Sequence, residues 1–254
     1  MRPARAIRRL IVSGLRFLPN AMTIAALIAG MTAILSAIQG DMAQAAVLVL
    51  VAGGIDGMDG RVARRFSFNT ELGAELDSLA DFVDFGVAPA LILYLWAFPD
   101  NAAYGWVAVL CYTVCCLLRL ARFNVGSRAA SDPKVKTGFT GVPSPAGALL
   151  ALFPLFISLA TDGAITVPGP LVAVWMVFVA LMMISRVSTP ALTVPALPRS
   201  WLLVLGVGAG ALLALYPWPL LICLDALYLV VLLFCVLRSL RSDPSPEQGP
   251  DRGE

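Results

Sequence analysis

Four aspartates lie within otherwise apolar sequence, and their type and spacing make them the best candidates for a chemical role. Asp56 and Asp59 are three positions apart and Asp77 and Asp81 are four apart, so each pair would share one face of a helix. Each aspartate near the centre of a bilayer costs roughly 2.5–3.5 kcal/mol if nothing compensates its charge. Hard divalent cations, Mg²⁺ or Mn²⁺, offset that cost because they prefer carboxylate oxygens. The spacing therefore predicts a metal site.

The two pairs can meet only if the chain reverses between them. Residues 64–70 include two arginines and three other polar residues, and we expect this stretch to turn the chain between antiparallel helices. Divalent cations held close together assist displacement at phosphorus, because they neutralise phosphate oxygens and stabilise the leaving group. A substrate with a diphosphate group would suit the site. The chain has no histidine, so any general base must be a carboxylate, tyrosine, lysine or cysteine.

The residues that follow Asp59 also suit phosphate binding. Gly60 and Ala63 would leave room for a flat or phosphorylated group against the helix. Arg64 follows one turn after Gly60, and its guanidinium can bind a phosphate or nucleotide group through several donors. Taken alone, the small residues would equally serve helix packing, which is their commoner role in membranes.

The composition predicts an all-α, polytopic membrane protein, because 59% of the 254 residues are hydrophobic and 13% are charged. Apolar stretches long enough to span a bilayer recur along the chain and predict a bundle of about eight transmembrane helices. The predicted spans are 18–39, 43–63, 72–97, 103–123, 143–161, 168–187, 201–216 and 218–237.

The basic residues predict the orientation of this bundle. All 18 Lys and Arg residues lie in the terminal segments or near alternate connections, and the connections near residues 41, 100, 162 and 217 contain none. We therefore predict that both termini and the four aspartates are cytoplasmic. Residues 1–17 predict an amphipathic helix on an anionic membrane surface, with a frayed basic tail as the alternative. Residues 242–254, rich in Pro, Gly and charge, predict a disordered tail.

The pattern D-x2-D-G-x2-A-R-x8-G-x3-D-x3-D resembles the signature of the CDP-alcohol phosphotransferase family. Every fixed position is filled in this chain, by Asp56, Asp59, Gly60, Ala63, Arg64, Gly73, Asp77 and Asp81. The resemblance implies a six-helix family core within residues 18–195, followed by additional transmembrane helices within 196–241. It also implies a homodimer.

The same resemblance implies roles for the signature residues. Asp56, Asp59 and Asp77 would hold two divalent cations, Mg²⁺ or Mn²⁺, and Asp81 would join one of them. Asp81 would also deprotonate the acceptor alcohol, which attacks the β-phosphorus of the donor as CMP leaves. The residues implied to face the CDP group are Asp56, Gly60, Ala63 and Arg64.

The sequence around the signature resembles the serine-using bacterial branch of this family, in the segments 18–23, 76–89, 119–124 and 139–146. This resemblance implies transfer of a phosphatidyl group from CDP-diacylglycerol to L-serine in the inner membrane of a bacterium. Position 84 departs from that branch, which usually has Ser or Asn where this chain has Asp84. Glycerol 3-phosphate, inositol phosphate and choline are the alternative acceptors.

Serine carries a carboxylate and an ammonium group beside its hydroxyl, so its pocket needs a cation and an anion near the general base. Arg119 and Arg122, beside Asn124, are candidates for the cation, and Asp84 is the candidate for the anion. Arg186 is a further candidate for the acceptor carboxylate or a lipid phosphate. As alternatives, each arginine would contact lipid headgroups, and Asp84 would support the site indirectly or face solvent.

A cation channel or transporter is the alternative from a different functional class, because such proteins also place aspartates inside helical bundles. Three features favour an enzyme: the acidic residues lie on adjacent helices at one membrane face, Arg64 is near them, and no second acidic cluster continues a path across the bilayer. A purely structural membrane protein has no use for so much buried charge. We predict membrane lipid as a partner and no interaction with nucleic acid.

Overall fold

The described part of the chain is almost entirely helical. The computed structural model describes residues 18–66, 71–98, 103–129, 141–185 and 210–241. Within those ranges, the side chains that fall outside the description are those of residues 59–66, 71, 127–129 and 238–241. The predicted amphipathic helix at 1–17 and the predicted tail at 242–254 lie outside the described residues.

The described residues form a series of helices along the chain. Their bounds are α1 Leu18–Ile38, α2 Met42–Phe66, α3 Glu71–Asp81, α4 Ala88–Ala97, α5 Ala103–Ala129, α6 Ser144–Ala160, α7 Gly169–Ile184 and α8 Pro217–Arg241. A π-helical segment, Phe82–Val87, joins α3 to α4, so that residues 71–97 are continuously helical. Residues 210–215 are also helical, and the described ranges contain no strand.

The helical segments confirm the predicted polytopic membrane fold. The segments long and apolar enough to cross a membrane are Leu18–Ile38, Leu72–Ala97, Ala103–Gly126 and Pro217–Leu237. Shorter apolar helices cover Met42–Met58, Ser144–Ala160 and Gly169–Ile184. Together they coincide with every predicted span except 201–216, of which the described part, 210–215, is helical.

Helices α1 and α2 make the most extensive helix–helix contact of the described bundle. Lipid chains are as apolar as leucine, so close backbone approach, more than hydrophobicity, favours such pairing in a membrane. The buried residues of these two helices are accordingly small: Ala26, Ala29, Ala33 and Ala37 on α1, and Ala45, Ala46, Val49 and Ala52 on α2. Many of the large side chains of α1 are exposed and would face lipid, among them Ile24, Ile28, Met31 and Leu35.

Larger apolar side chains fill the bundle around α6 and α7. Trp175 Nε1 on α7 donates a hydrogen bond to the Leu150 carbonyl oxygen on α6 at 2.7 Å. The side chain of Met183 occupies the space beside Gly147, where a Cβ would lie 2.6 Å from the methionine sulfur. The C-terminal helix α8 joins the same bundle, because Trp218 stacks on Phe156 of α6 with ring centroids 6.1 Å apart.

The π-helical segment was not predicted, since the apolar stretch at 72–97 indicated a regular α-helix. Its carbonyl groups accept hydrogen bonds from α5: Tyr112 Oη donates to Phe85 O at 2.9 Å, and Thr113 Oγ1 donates to Gly86 O at 3.4 Å. These partners lie far away in sequence, so tertiary contacts stabilise the local geometry. π-Helical turns within α-helices frequently occur at functional sites.

Candidate active site

Helices α2 and α3 bring three carboxylates together in an acidic cluster, which consists of Asp56, Asp77 and Asp81. One oxygen from each lies within 4.8 Å of the others, and all three side chains are partly buried. The carboxyl groups of Asp56 and Asp81 are within hydrogen-bonding distance of each other. Like charges this close repel unless a proton or a cation lies between them. Three convergent carboxylate oxygens are a donor set that fits Mg²⁺ or Mn²⁺.

The signature residues predicted to complete the metal site and to face the CDP group lie in the last turns of α2. Their backbone is helical, and α2 continues to Phe66, beyond the predicted end at residue 63. The side chains lie outside the described residues, as do residues 67–70 of the predicted turn. Their roles in metal or CDP binding therefore stay predictions; the residues concerned are Asp59, Gly60, Ala63 and Arg64.

Asn124 connects α5 to α3 beside the acidic cluster. Its Nδ2 donates a hydrogen bond to Ser78 Oγ at 2.9 Å, and Ser78 Oγ lies 3.0 Å from the Ala74 carbonyl oxygen. The hydrogen bond connects Asn124 to the helix that contributes Asp77. The role predicted for Asn124, as a contact of the acceptor or a lipid phosphate, stays a prediction. Sequence reasoning did not single out Ser78, although a polar residue between two predicted metal ligands was a usable signal.

Arg119 reaches into the bundle toward the acidic cluster. Its Nε donates to the Val142 carbonyl oxygen, and its Nη1 donates to Ser144 Oγ at the start of α6. The guanidinium also interacts electrostatically with Asp81. Two of its donors are therefore used to hold α5 against α6, and the positive charge remains near the predicted general base.

The other two predicted arginines are placed differently. Arg122 is exposed, and its Nη1 donates to the Ile184 carbonyl oxygen at 2.9 Å, at the end of α7. That bond satisfies one of the carbonyl groups left free at a helix C-terminus, where positive charge is also favourable. Arg186 lies outside the described residues.

Asp84 is buried in the π-helical segment, with 1% of its surface exposed, so it does not face solvent. Its Oδ1 has no hydrogen-bond partner among the described residues. The carboxyl group interacts electrostatically with Asp56 and Asp81. On the side of α1, Gly30 contacts it so closely that a Cβ at Gly30 would lie 2.0 Å from Asp84 Oδ1.

Helix α8 contributes a second set of buried polar atoms, the C-terminal pair, which consists of Asp225 and Tyr228. Asp225 is 5% exposed, and neither its Oδ2 nor Tyr228 Oη has a hydrogen-bond partner among the described residues. Tyr228 interacts electrostatically with Arg119. The sequence analysis did not select this pair, although a single aspartate within the apolar stretch 218–237 was a visible signal.

Comparison with known proteins connects this geometry to a family. A sequence model described as CDP-alcohol phosphatidyltransferase matches residues 16–185, which include the acidic cluster and Asp84. Proteins of this family generally depend on divalent cations, in agreement with the donor set.

Several curated relatives are named CDP-diacylglycerol–serine O-phosphatidyltransferase. That of Mycobacterium leprae (strain TN) is 38% identical over 174 residues, 68% of this chain and 58% of the relative. That of Mycobacterium tuberculosis (strain ATCC 25618 / H37Rv) is 36% identical over 201 residues, 79% of this chain and 68% of the relative. That of Bacillus subtilis (strain 168) is 32% identical over 155 residues, 59% of this chain and 84% of the relative.

The match thus spans less than two thirds of the M. leprae protein and most of the B. subtilis protein. Over the matched residues, both the signature spacing and the convergence of its carboxylates agree with the resemblance seen in the sequence. This chain belongs to the CDP-alcohol phosphatidyltransferase family.

Proposed function

We propose that this protein transfers a phosphatidyl group from CDP-diacylglycerol to the hydroxyl of L-serine, giving phosphatidylserine and CMP. The observation that best supports an enzyme is the approach of Asp56, Asp77 and Asp81 to within 4.8 Å of one another from two helices. The names of the curated relatives support serine as the acceptor.

The acidic cluster, with Asp59, would hold two divalent cations. Such cations, Mg²⁺ or Mn²⁺, supply positive charge that neutralises the diphosphate oxygens of the donor. Asp81 is the proposed general base: its carboxylate takes the proton of the serine hydroxyl as the hydroxyl oxygen bonds to the β-phosphorus. The bond between that phosphorus and the CMP oxygen breaks, and CMP leaves with the electron pair. Gly60, Ala63 and Arg64 would bind the CDP group.

Arg119 is the arginine whose position best supports a role with the acceptor carboxylate. It is partly buried and interacts with Asp81, whereas Arg122 is exposed and bonded to the end of α7. A guanidinium near the general base would attract the serine carboxylate and orient the hydroxyl toward Asp81. Asn124 would act indirectly, by holding Ser78 and thus α3. Arg186 remains a candidate for the lipid phosphate.

We also propose a bacterial inner-membrane location, with both termini and the active site cytoplasmic. The distribution of the 18 basic residues supports this orientation. The proposed division of the chain is a family core at 18–195, additional helices within 196–241, and a terminal tail. The family match at 16–185 supports the position of the core. A homodimer is proposed from the family resemblance alone.

The direct test is CMP release by the purified protein with CDP-diacylglycerol, Mg²⁺ or Mn²⁺, and a panel of alcohols. Release that depends on L-serine is the expected result. Release with glycerol 3-phosphate, inositol phosphate or choline alone would keep the reaction class and reject serine. No release with any acceptor, from protein that remains folded and monodisperse, would reject the proposed enzyme.

A matched pair of arginine variants tests the acceptor site. Arg119→Lys keeps the charge and removes the planar set of donors, and we expect it to raise the KM for serine more than the KM for CDP-diacylglycerol. Arg122→Lys makes the same change at the alternative position in the same assay. A selective effect of Arg122→Lys without one from Arg119→Lys would move the carboxylate contact to Arg122.

A further inference from the structure

We propose that Asp84 binds the ammonium group of the acceptor, and that Gly30 is a positioning residue that allows the Asp84 carboxylate to lie against α1. This inference rests on the proposed function, because it assigns one group of the serine acceptor to one residue of the same site. The supporting observations are the burial of Asp84, its unpaired oxygen, its neighbours and its close contact with Gly30.

Asp84 is both buried and close to other acidic side chains. A carboxylate inside a membrane bundle is costly unless a partner compensates it. Asp84 is 1% exposed, and its Oδ1 has no hydrogen-bond partner among the described residues. Its electrostatic neighbours Asp56 and Asp81 are themselves acidic. A positively charged ligand would compensate this concentration of negative charge.

The position of Asp84 favours an organic ammonium group over a metal ion. The three carboxylates that lie within 4.8 Å of one another are those of the acidic cluster, and Asp84 is not among them. It follows Asp81 by three residues, in the π-helical segment that begins directly after Asp81. In serine the hydroxyl and the ammonium are on adjacent carbons. A serine whose hydroxyl faces Asp81 would therefore extend its ammonium group toward Asp84.

Contacts from both sides hold Asp84 in place. On one side, a Cβ at Gly30 would lie 2.0 Å from Asp84 Oδ1 and 3.3 Å from Asp84 Cα, so no larger residue fits without displacing the carboxylate. On the other side, Tyr112 donates a hydrogen bond to the carbonyl of Phe85, the next residue. A carboxylate fixed in this way needs little reorganisation to bind a cation.

The test of the charge is Asp84→Asn, which keeps the shape of the side chain and removes its negative charge. The purified full-length protein is assayed by CMP release with L-serine and with glycerate, which has the same hydroxyl and carboxylate but no ammonium group. We expect the KM for serine to rise roughly 10- to 100-fold, the usual worth of a hydrogen bond to a charged group. The KM for CDP-diacylglycerol and the turnover of glycerate should change less than about 2-fold, since neither substrate offers an ammonium group to Asp84.

The same assay separates this inference from the proposed function. If the wild-type protein shows no serine-dependent release, the proposed function has failed. If wild-type release depends on serine and Asp84→Asn leaves the KM for serine unchanged, or weakens serine and glycerate equally, the assignment of Asp84 is wrong. A metal titration followed by thermal unfolding adds a readout apart from activity. If Asp84→Asn raises the Mn²⁺ concentration needed for stabilisation, Asp84 is a metal ligand and the inference is overturned.

Gly30→Ala tests the positioning role, and Gly54→Ala is its matched control, because a Cβ at Gly54 has nothing within 4 Å. We expect Gly30→Ala to raise the KM for serine selectively, as Asp84→Asn does, and Gly54→Ala to leave it unchanged. A Gly30→Ala protein that folds with a normal KM for serine would reject the positioning role. Should Gly30→Ala fail to fold, Gly30→Ala in the Asp84→Ala background provides the second measurement, because alanine removes the carboxylate that a Cβ at Gly30 would meet: recovery of folding supports the steric contact, and no recovery contradicts it.

Discussion

The acidic cluster and the C-terminal pair both place polar atoms inside a membrane bundle, but they differ in number and in surroundings. The cluster gathers carboxylates from two helices, α2 and α3. The pair has one carboxyl and one hydroxyl group on a single helix, where Leu221 and Leu232 are also buried. Convergence of like charges is unfavourable unless a cation joins them, whereas a buried acid that is far from other charges can avoid the cost of its own charge by keeping its proton. Convergence from separate helices, more than burial, therefore indicates a binding site.

The largest expected effect lies in the acidic cluster. Asp81→Asn should lower kcat about 10²–10⁴-fold, because a positioned general base contributes that much, while binding of CDP-diacylglycerol remains. CMP release and equilibrium donor binding measure the two quantities. Asp225→Asn is the matched control and should retain turnover. Full activity of Asp81→Asn would remove this residue from the mechanism, and loss of activity in Asp225→Asn would make the two regions functionally alike.

Divalent cations should stabilise the protein by binding to the acidic cluster and not to the C-terminal pair. At a concentration of about 100 times the dissociation constant, Mn²⁺ or Mg²⁺ should add about 2.7 kcal/mol to the free energy of unfolding. Thermal unfolding in detergent with and without the cation measures this increment. Asp56→Asn should reduce it, and Asp225→Asn should not. An increment that survives Asp56→Asn would place the cation elsewhere.

Removal of the solitary acid should stabilise the protein. Asp225→Leu eliminates a buried group whose Oδ2 has no partner among the described residues, and we expect a gain of about 1–3 kcal/mol in the free energy of unfolding. Asp225→Asn, which stays polar, should gain less. Thermal unfolding measures both variants. Destabilisation by Asp225→Leu would show that the carboxylate has a stabilising partner and that the contrast between the regions is weaker than described.

The smallest expected effect is a difference in the free energy of unfolding between variants of two tyrosines whose hydroxyl groups are buried. Tyr112 Oη donates to Phe85 O at 2.9 Å, so Tyr112→Phe should cost about 0.5–1.5 kcal/mol by removing that bond. Tyr228 Oη has no hydrogen-bond partner among the described residues, so Tyr228→Phe should be neutral or slightly stabilising. Denaturation midpoints of the two variants give the comparison. The reverse order would contradict the different hydrogen bonding of the two sites.

Much of the fold and part of the site could be predicted from residue patterns. Apolar stretches located the helices, and the i, i+3 and i, i+4 spacing selected three aspartates that the structure brings together. The different surroundings of Arg119 and Arg122 could not be predicted, because the two arginines lie three residues apart at the same end of one helix. Only the packing of α5 against α6 and α7 directs Arg119 toward Asp81 and Arg122 toward Ile184.

The sequence by itself determined the helical membrane fold and the residues suited to metal and phosphate chemistry, because apolar length and residue spacing are local properties. Tertiary structure decided how those residues are surrounded. The π-helical segment, its hydrogen bond from Tyr112, and the contact between Gly30 and Asp84 each join residues far apart in the chain. Their geometry depends on which helices pack together and how closely, and the spacing within a single helix contains no information about that choice.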